Sequence, residues 1–363
     1  MSTIKVQNIQ HTGSSTNAIA LASDGTCTAN LSDFGRRNHV INGNFSISQR
    51  NGTTAYTGNG YGGPDRWYVN QSGATTSFQQ VAFAMGEQRS GSQYYGKLTS
   101  SGNDFCWIEQ RIEDVTKFNS QQITISFDAK YVSAKPSGGF NVRLVHNYGT
   151  GGSPSGSTEV YWGGSNSAES FVATTSWQRF QWNLTTSSLS GKTLGTTDNT
   201  SFVQLIIGQG SNTGNTAWEL NIANVQIEYG AVASAFEQPR NKGDELALCQ
   251  RYCYEHFFTG SASYASLMLG CYYNSSRVYG SFRFPVTMRT APTMVCTDSA
   301  DAFNIYRNGG YDDVNEFHID SVNNVGPNAV EILNDTDASG TAGHVCFIRR
   351  TPAVNTFRFE AEL

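Results

Sequence analysis

The sequence predicts an all-β chain of several units, and three observations carry that prediction. Charged residues make up only 15%, against 37 Gly, 17 Tyr and 21 Phe, a balance far from the Lys-, Glu- and Ala-rich composition of helical bundles. Short runs with strict period-2 alternation recur, as in Ile123, Ile125 and Phe127 against Thr124, Ser126 and Asp128. Clusters of Gly, Ser, Thr and Asn separate these runs, as turns do between strands. At 363 residues the chain is long enough for two or three cores.

Residues 1–33 form a leader. Ile4 and Val6, then Ile19 and Leu21, alternate in strands too short to bury a core alone, and Ser23-Asp24-Gly25 is a hairpin-turn signal. Such a segment needs a partner, so it is a candidate attachment or oligomerisation segment. Residues 34–240 are expected to form one large sandwich. Its strands are expected at Asp65–Asn70, Tyr94–Ser100, Ile123–Tyr131, Phe140–Asn147, Gln178–Leu184, Phe202–Gly208 and Trp218–Tyr229. In the last of these the apolar parity switches from Trp218, Leu220 and Ile222 to Val225, Ile227 and Tyr229, which a bulge at Ala223-Asn224 would produce. The Gly/Ser-rich stretch Tyr148–Ser157 is expected to be a mobile loop.

Residues 241–258 are expected to be a linker helix. Asp244 after Gly243 fits its N-cap, and Leu246, Cys249, Cys253 and His256 recur on one helical face. This heptad-like seam could pack copies along a common axis, or the same face could dock on its own sandwich. Residues 259–363 are expected to be a smaller β-sandwich. In it Val278, Gly280, Phe282, Phe284 and Val286 alternate, and so do Phe357, Phe359, Ala361 and Leu363.

Net charge is −5 with no basic cluster, so nucleic acid is not an expected partner. The longest apolar runs are too short for a bilayer helix, and no membrane insertion is expected. The N-terminus lacks an export signal pattern. Seven cysteines at irregular spacing predict free thiols rather than a disulfide framework. No cofactor or metal is expected. Asp335-Thr336-Asp337-Ala338-Ser339-Gly340 begins like a calcium loop, but Cys346 stands where the closing Glu belongs. Glu109/Glu113 and Asp312/Asp313 are carboxylate pairs more typical of solvated surfaces than of glycosidase centres, so no catalytic residue is expected.

Exposed aromatic rings beside polar side chains suit sugars, whose C–H faces are apolar. Tyr161-Trp162 beside the Gly-rich loop is one candidate. Tyr306-Arg307 with Tyr311-Asp312 is the other.

Asn38-His39-Val40-Ile41-Asn42-Gly43-Asn44-Phe45, followed by Gln49-Arg50 and Asp65-Arg66-Trp67, resembles the opening of β-sandwich modules in bacteriophage tail fibres. Val225-Gln226-Ile227-Glu228-Tyr229-Gly230, with Phe236-Glu237 and Arg240, resembles their closing strand, a pattern also found in carbohydrate-binding jelly rolls. Glu245–Tyr252 looks like the helix that follows in those fibre proteins. Phe282–Thr293 is similar to the start of their terminal domain. The resemblance implies a virion protein made in the host cytoplasm, a homotrimer attached to other tail or virion proteins through residues 1–33. It also implies a distal end that binds host surface polysaccharide. It carries over no catalytic residues. A structural adaptor or decoration protein without a receptor is the alternative, and a polysaccharide depolymerase is a further one.

Overall fold

A computed structural model describes residues 6–9, 12, 19–21, 27–29, 37–72, 75–101, 105–132, 139–163, 173–209, 217–236, 241–256, 264–320, 325–353 and 356–363. In the leader, β1 (Asn8–Ile9), β2 (Ile19–Leu21) and β3 (Cys27–Ala29) form a small antiparallel sheet. Leu21 pairs with Cys27. The expected turn at 23–25 falls between them, outside the described residues, as does Ile4.

The sandwich follows. In chain order its strands are β4 (Tyr56–Thr57), β5 (Gly60–Tyr61), β6 (Tyr68–Gln71), β7 (Thr76–Ala82), β8 (Tyr94–Ser100), β9 (Cys106–Glu113), β10 (Gln122–Tyr131), β11 (Asn141–Asn147), β12 (Thr158–Gly163), β13 (Gln178–Thr185), β14 (Phe202–Gln209) and β15 (Trp218–Tyr229). They make two six-stranded sheets, ordered β13-β10-β15-β8-β7-β4 and β12-β11-β14-β9-β6-β5. The chain crosses between sheets repeatedly, in a jelly-roll-like arrangement. Inward positions such as Ile108, Phe127, Val142, Leu205 and Ile227 are fully buried in one cluster, the core that alternation predicts. The expected bulge is present. Pairing of β10 with β15 slips between Ser126 and Asp128, opposite Gln226 and Ala223, and Asn224 takes φ 56°. The stretch 148–157 is laced to its neighbour by Gly195 N to Tyr148 O (2.7 Å) and Ser155 N to Thr193 O (2.9 Å).

The helix α1 runs Lys242–Gln250, capped by Asn241, whose side chain accepts from Asp244 N. It is shorter than expected at both ends. The cap lies before Asp244 because the Asn241 carboxamide reaches the free N–H groups of the first turn. Cys253 does not continue the helix; it opens β16 (Cys253–Glu255), whose Cys253 pairs with Glu360. Long-range strand pairing overrides the three- and four-residue spacing.

The distal unit adds β17 (Ser266–Asn274), β18 (Arg277–Arg283), β19 (Thr293–Cys296), β20 (Phe303–Arg307), β21 (Gly310–Val314), β22 (His318–Ile319), β23 (Ala329–Asn334), β24 (Val345–Arg350) and β25 (Phe357–Glu360). A seven-stranded sheet, β21-β20-β24-β17-β18-β23-β22, packs on β16-β25-β19 over its own core of Tyr272, Phe303, Ile332, Ile348 and Phe359. Cys106, Cys249, Cys253, Cys271, Cys296 and Cys346 are free thiols.

A buried polar hub joins the units, and the Asn38–Trp67 segment builds it. The Asn38 side chain donates to Val225 O (3.0 Å) and accepts from Val40 N and Ile227 N. The Asn42 carboxamide spans Ile47 and the Asp65 carbonyl, while its backbone N–H donates to the buried Glu245 of α1. Gly43 sits so close to β15 that a Cβ there would stand 2.1 Å from Val225 O. Gln49 bridges Asp65 to Cys253 O. Arg50 and Arg66, both buried, hold Glu360 and Glu362, and the Arg66 guanidinium stacks 3.4 Å over Tyr252. Burial raises the pKa of Asp65, with Arg50 and Gln49 pulling it back.

The expected seam residues therefore divide. Cys249 and Cys253 are fully buried within their own chain, and the apolar side of α1 is docked on the hub. His256 packs into the distal unit, 4.8 Å from the Phe282 ring. Leu246 keeps partial exposure, and it alone cannot form a seam.

Candidate functional site

Alternation in β9, β14 and β11 sends Ile108, Val203, Leu205, Ile207, Val142 and Leu144 into the core. It turns Trp107, Glu109, Arg111, Gln204 and Arg143 to the outer face. Register aligns them across strands: Tyr68 opposes Glu109, Glu109 opposes Ile206, Ile206 opposes Arg143, and Arg143 opposes Tyr161. Below that row Asn70 opposes Trp107, Trp107 opposes Gly208, and Gly208 opposes Asn141.

The half-buried Trp107 ring stacks on Phe105 at 4.3 Å, with the Arg143 guanidinium 4.3 Å from its centroid. Its indole N–H donates to Glu109 (3.0 Å), and Arg111 donates to the other Glu109 oxygen (2.9 Å). Glu109 is buried, so both of its oxygens are committed and its orientation is set. Arg111 also lies 5.2 Å from the centroids of Tyr68 and Phe202, and donates to Leu363 O. Tyr61 OH reaches the same carbonyl at 3.4 Å, so residues 360–363 border the face. At the opposite end of β9, Glu113 is gripped by Arg251 at 3.2 and 3.0 Å. Burial pushes its carboxyl up, but the Arg251 hydrogen bonds outweigh this and its pKa is lowered. The outcome is a ledge of aromatic rings edged by fixed donors and acceptors. With Phe105 on one face of Trp107 and Arg143 against the other, an apolar ring face would stack on the outer side of Phe105 or of the Arg143 guanidinium, with the arginine N–H groups beside it as donors.

The sequence candidates fall on two separate surfaces. Tyr161 and Trp162 lie in β12, opposite Arg143 and Val142, and their side chains lie outside the described residues. Tyr306 and Tyr311 are register partners on the outer face of the distal sheet, and Tyr311 is 69% exposed. Arg307 and Asp312 take the other parity and hold a turn. Arg307 stacks 4.5 Å over Tyr272 and donates to Ser339 O, while Asp312 accepts from Tyr272 OH (2.9 Å) and Ser339 N (2.6 Å). Asp337, in the segment with a calcium-loop start, accepts from Asn334 and Asn315 instead. Among the described residues no group of three His, Cys, Asp or Glu could hold a metal ion. No described helix is long and apolar enough to cross a membrane. Sequence reasoning missed Trp107, Arg111 and Arg143, and it placed Glu109 on a solvated surface whereas the structure buries it between Trp107 and Arg111. The signal was there in the alternation of Cys106, Ile108 and Ile112 with charged neighbours.

No protein-family model and no curated protein matches the chain. Solved structures resemble about half of it at low scores. The family 11 carbohydrate-binding module of the Clostridium thermocellum cellulase Lic26A-Cel5E is 11% identical, with 50% of this chain and 98% of that one covered and a TM-score of 0.27. The CBM22-1 xylan-binding domain of Paenibacillus barcinonensis Xyn10C is 15% identical over 50% and 99%, with a TM-score of 0.28. The enzymatically active domain of tailspike protein 4 from bacteriophage CBA120 is 11% identical over 53% and 21%, with a TM-score of 0.30.

Proposed function

We propose that this chain is a receptor-binding appendage protein of a bacteriophage virion. Residues 1–33 attach it to other virion proteins, and the outer face of β9, β11 and β14 binds host surface polysaccharide without cleaving it. One observation carries the glycan reading: the Trp107–Phe105 stack with Arg143 over the ring and Glu109 fixed between Trp107 and Arg111. The ordered resemblance to tail-fibre modules supports the virion context, and its residues from Asn38 to Trp67 are those that build the hub. The binding-only role is supported by the carboxylates themselves, since Glu109 and Glu113 are both engaged by arginines. Several copies on one particle would turn weak single contacts into firm adsorption through effective concentration.

The test is titration of polysaccharides from host strains against the full chain, Trp107→Ala and Arg143→Ala. The expected loss on removing the Trp107 ring is about tenfold or more, on the order of 1–3 kcal/mol. Unchanged affinity in both variants would remove this face from the reading. Shortened polysaccharide in the same tubes would favour the depolymerase, and no binding with unaffected adsorption would favour the adaptor.

A further inference from the structure

The distal sheet has a second surface that the glycan reading does not use. Leu267-Met268-Leu269-Gly270-Cys271-Tyr272-Tyr273 and Val345-Cys346-Phe347-Ile348 are apolar at both parities. A strand with one face in water alternates, whereas one covered on both sides reads as a continuous apolar run. In the structure only one parity is covered. Gly270, Tyr272, Cys346 and Ile348 face the distal core, while Leu269 (60%), Tyr273 (70%), Val345 (68%) and Phe347 (45%) are exposed on the other side.

These side chains are contiguous. Leu269 opposes Phe347, Phe347 opposes Tyr306 and Tyr306 opposes Tyr311, a straight row over four strands. Beside it Val345 opposes Cys271, and Cys271 opposes Tyr279. Leu269, Tyr273, Val345, Phe347 and Tyr311, each 45–70% exposed, gather on one face, and a contiguous apolar patch of this kind marks an interaction site.

We infer that this outer face is where a second copy of this chain packs. A sugar is a poor occupant, because Leu269, Val345 and Cys271 at its centre offer hydroxyl groups no hydrogen-bond partner. The face carries both charge signs: Arg349 lies 3.9 Å over the Tyr306 ring with Asp313 on the edge strand β21, and Arg283 and Glu331 lie toward β18 and β23. Copies of one surface can then meet with opposite charges facing, as a closed symmetric assembly requires. The contact stands independently of the glycan face.

The experiment is native mass by light scattering on the full chain, on Val345→Asp/Phe347→Asp and on Leu269→Ala/Tyr273→Ala. Val232→Asp, at a position 76% exposed elsewhere, serves as control. Maleimide labelling of Cys271 is mapped in each. The wild type and the control are expected to be multi-copy with slow Cys271 labelling. The aspartate pair should be single-copy, with labelling faster by about tenfold or more. The alanine pair adds no charge and should dissociate at higher concentration than the wild type even if the aspartate pair fails to fold. A single-copy wild type overturns the inference, as does a multi-copy mass that neither pair of changes alters. Trp107→Ala should leave the mass untouched, which separates failure here from failure of the glycan reading.

Discussion

On the sandwich, the outward positions of β9 and β11 include Trp107, Glu109, Arg111 and Arg143; on the distal sheet, those of β17 and β24 include Leu269, Cys271, Tyr273, Val345, Phe347 and Arg349. Both surfaces cover an apolar core by the same alternation. The first ties its charges to one another and to rings, so its polar groups keep fixed positions beside half-buried aromatics. The second keeps its charges around an apolar row, with Arg349 over the Tyr306 ring, and leaves Leu269, Val345 and Phe347 facing water. A ligand rich in hydroxyls gains on the first, and only another apolar surface gains on the second.

The hub holds these two faces in one fixed relation, and breaking it is the largest change available. Arg66→Ala would leave Glu362 with Arg50 as its one remaining cation, strip the stack from Tyr252 and empty a fully buried site. The expected loss is about 3–5 kcal/mol, read from urea unfolding. A loss confined to the distal unit, seen as a split transition, would show that the two faces fold separately. Gly43→Ala should cost about 2 kcal/mol or more, because Val225 O is backbone and cannot retreat; a neutral result would mean that β15 shifts freely.

A pH series reads one histidine in each unit, because burial lowers the pKa of both His146 and His256, and a variant isolates the share of the first. His146 is buried in the sandwich, and burial lowers its pKa from 6.5 although the backbone of Phe118 favours the cation. The unfolded chain then binds the proton more readily than the folded one. Stability from this group is full above about 6.5 and declines as pH falls below it. Denaturation midpoints of His146→Leu should flatten over that window, and an unchanged slope would assign the acid loss elsewhere. The smallest effect belongs to the turn after β7: Met85→Ala should move stability by less than about 0.5 kcal/mol, since that side chain is almost wholly in water.

Strands whose core-facing residues are aliphatic or aromatic were legible from period alone, and Tyr94–Ser100 and Trp218–Tyr229 have the bounds that the alternation predicts. The parity switch located the bulge because one extra residue reverses every side chain after it. Glu109, Arg111 and Glu113 hid β9, since charges at alternate positions read as a solvated surface until the partner strands are known. Cys249 and Cys253 misled for a related reason. Their spacing is helical, but the partner of Cys253 is Glu360, and no local pattern encodes a pairing that distant. Of the site candidates, Tyr306 and Tyr311 share a face while Arg307 and Asp312 take the opposite one, a division that period 2 encodes once the hairpin register is known.

The hub also sets a timetable for folding. Its contacts span the chain: Asn38 reaches Val225 across 187 positions, Asn42 reaches Glu245 across 203, and Arg50 reaches Glu362 across 312. Loop closure over such separations is slow, and no short segment can nucleate it. While residues 37–67 wait for residues 225–362, Arg50, Arg66 and Asp65 remain hydrated and the surface destined to meet α1 stays open. Refolding from urea should therefore show a slow final phase that carries the Tyr252 and Trp67 fluorescence change, and that phase should lengthen when Glu362 is replaced by Gln.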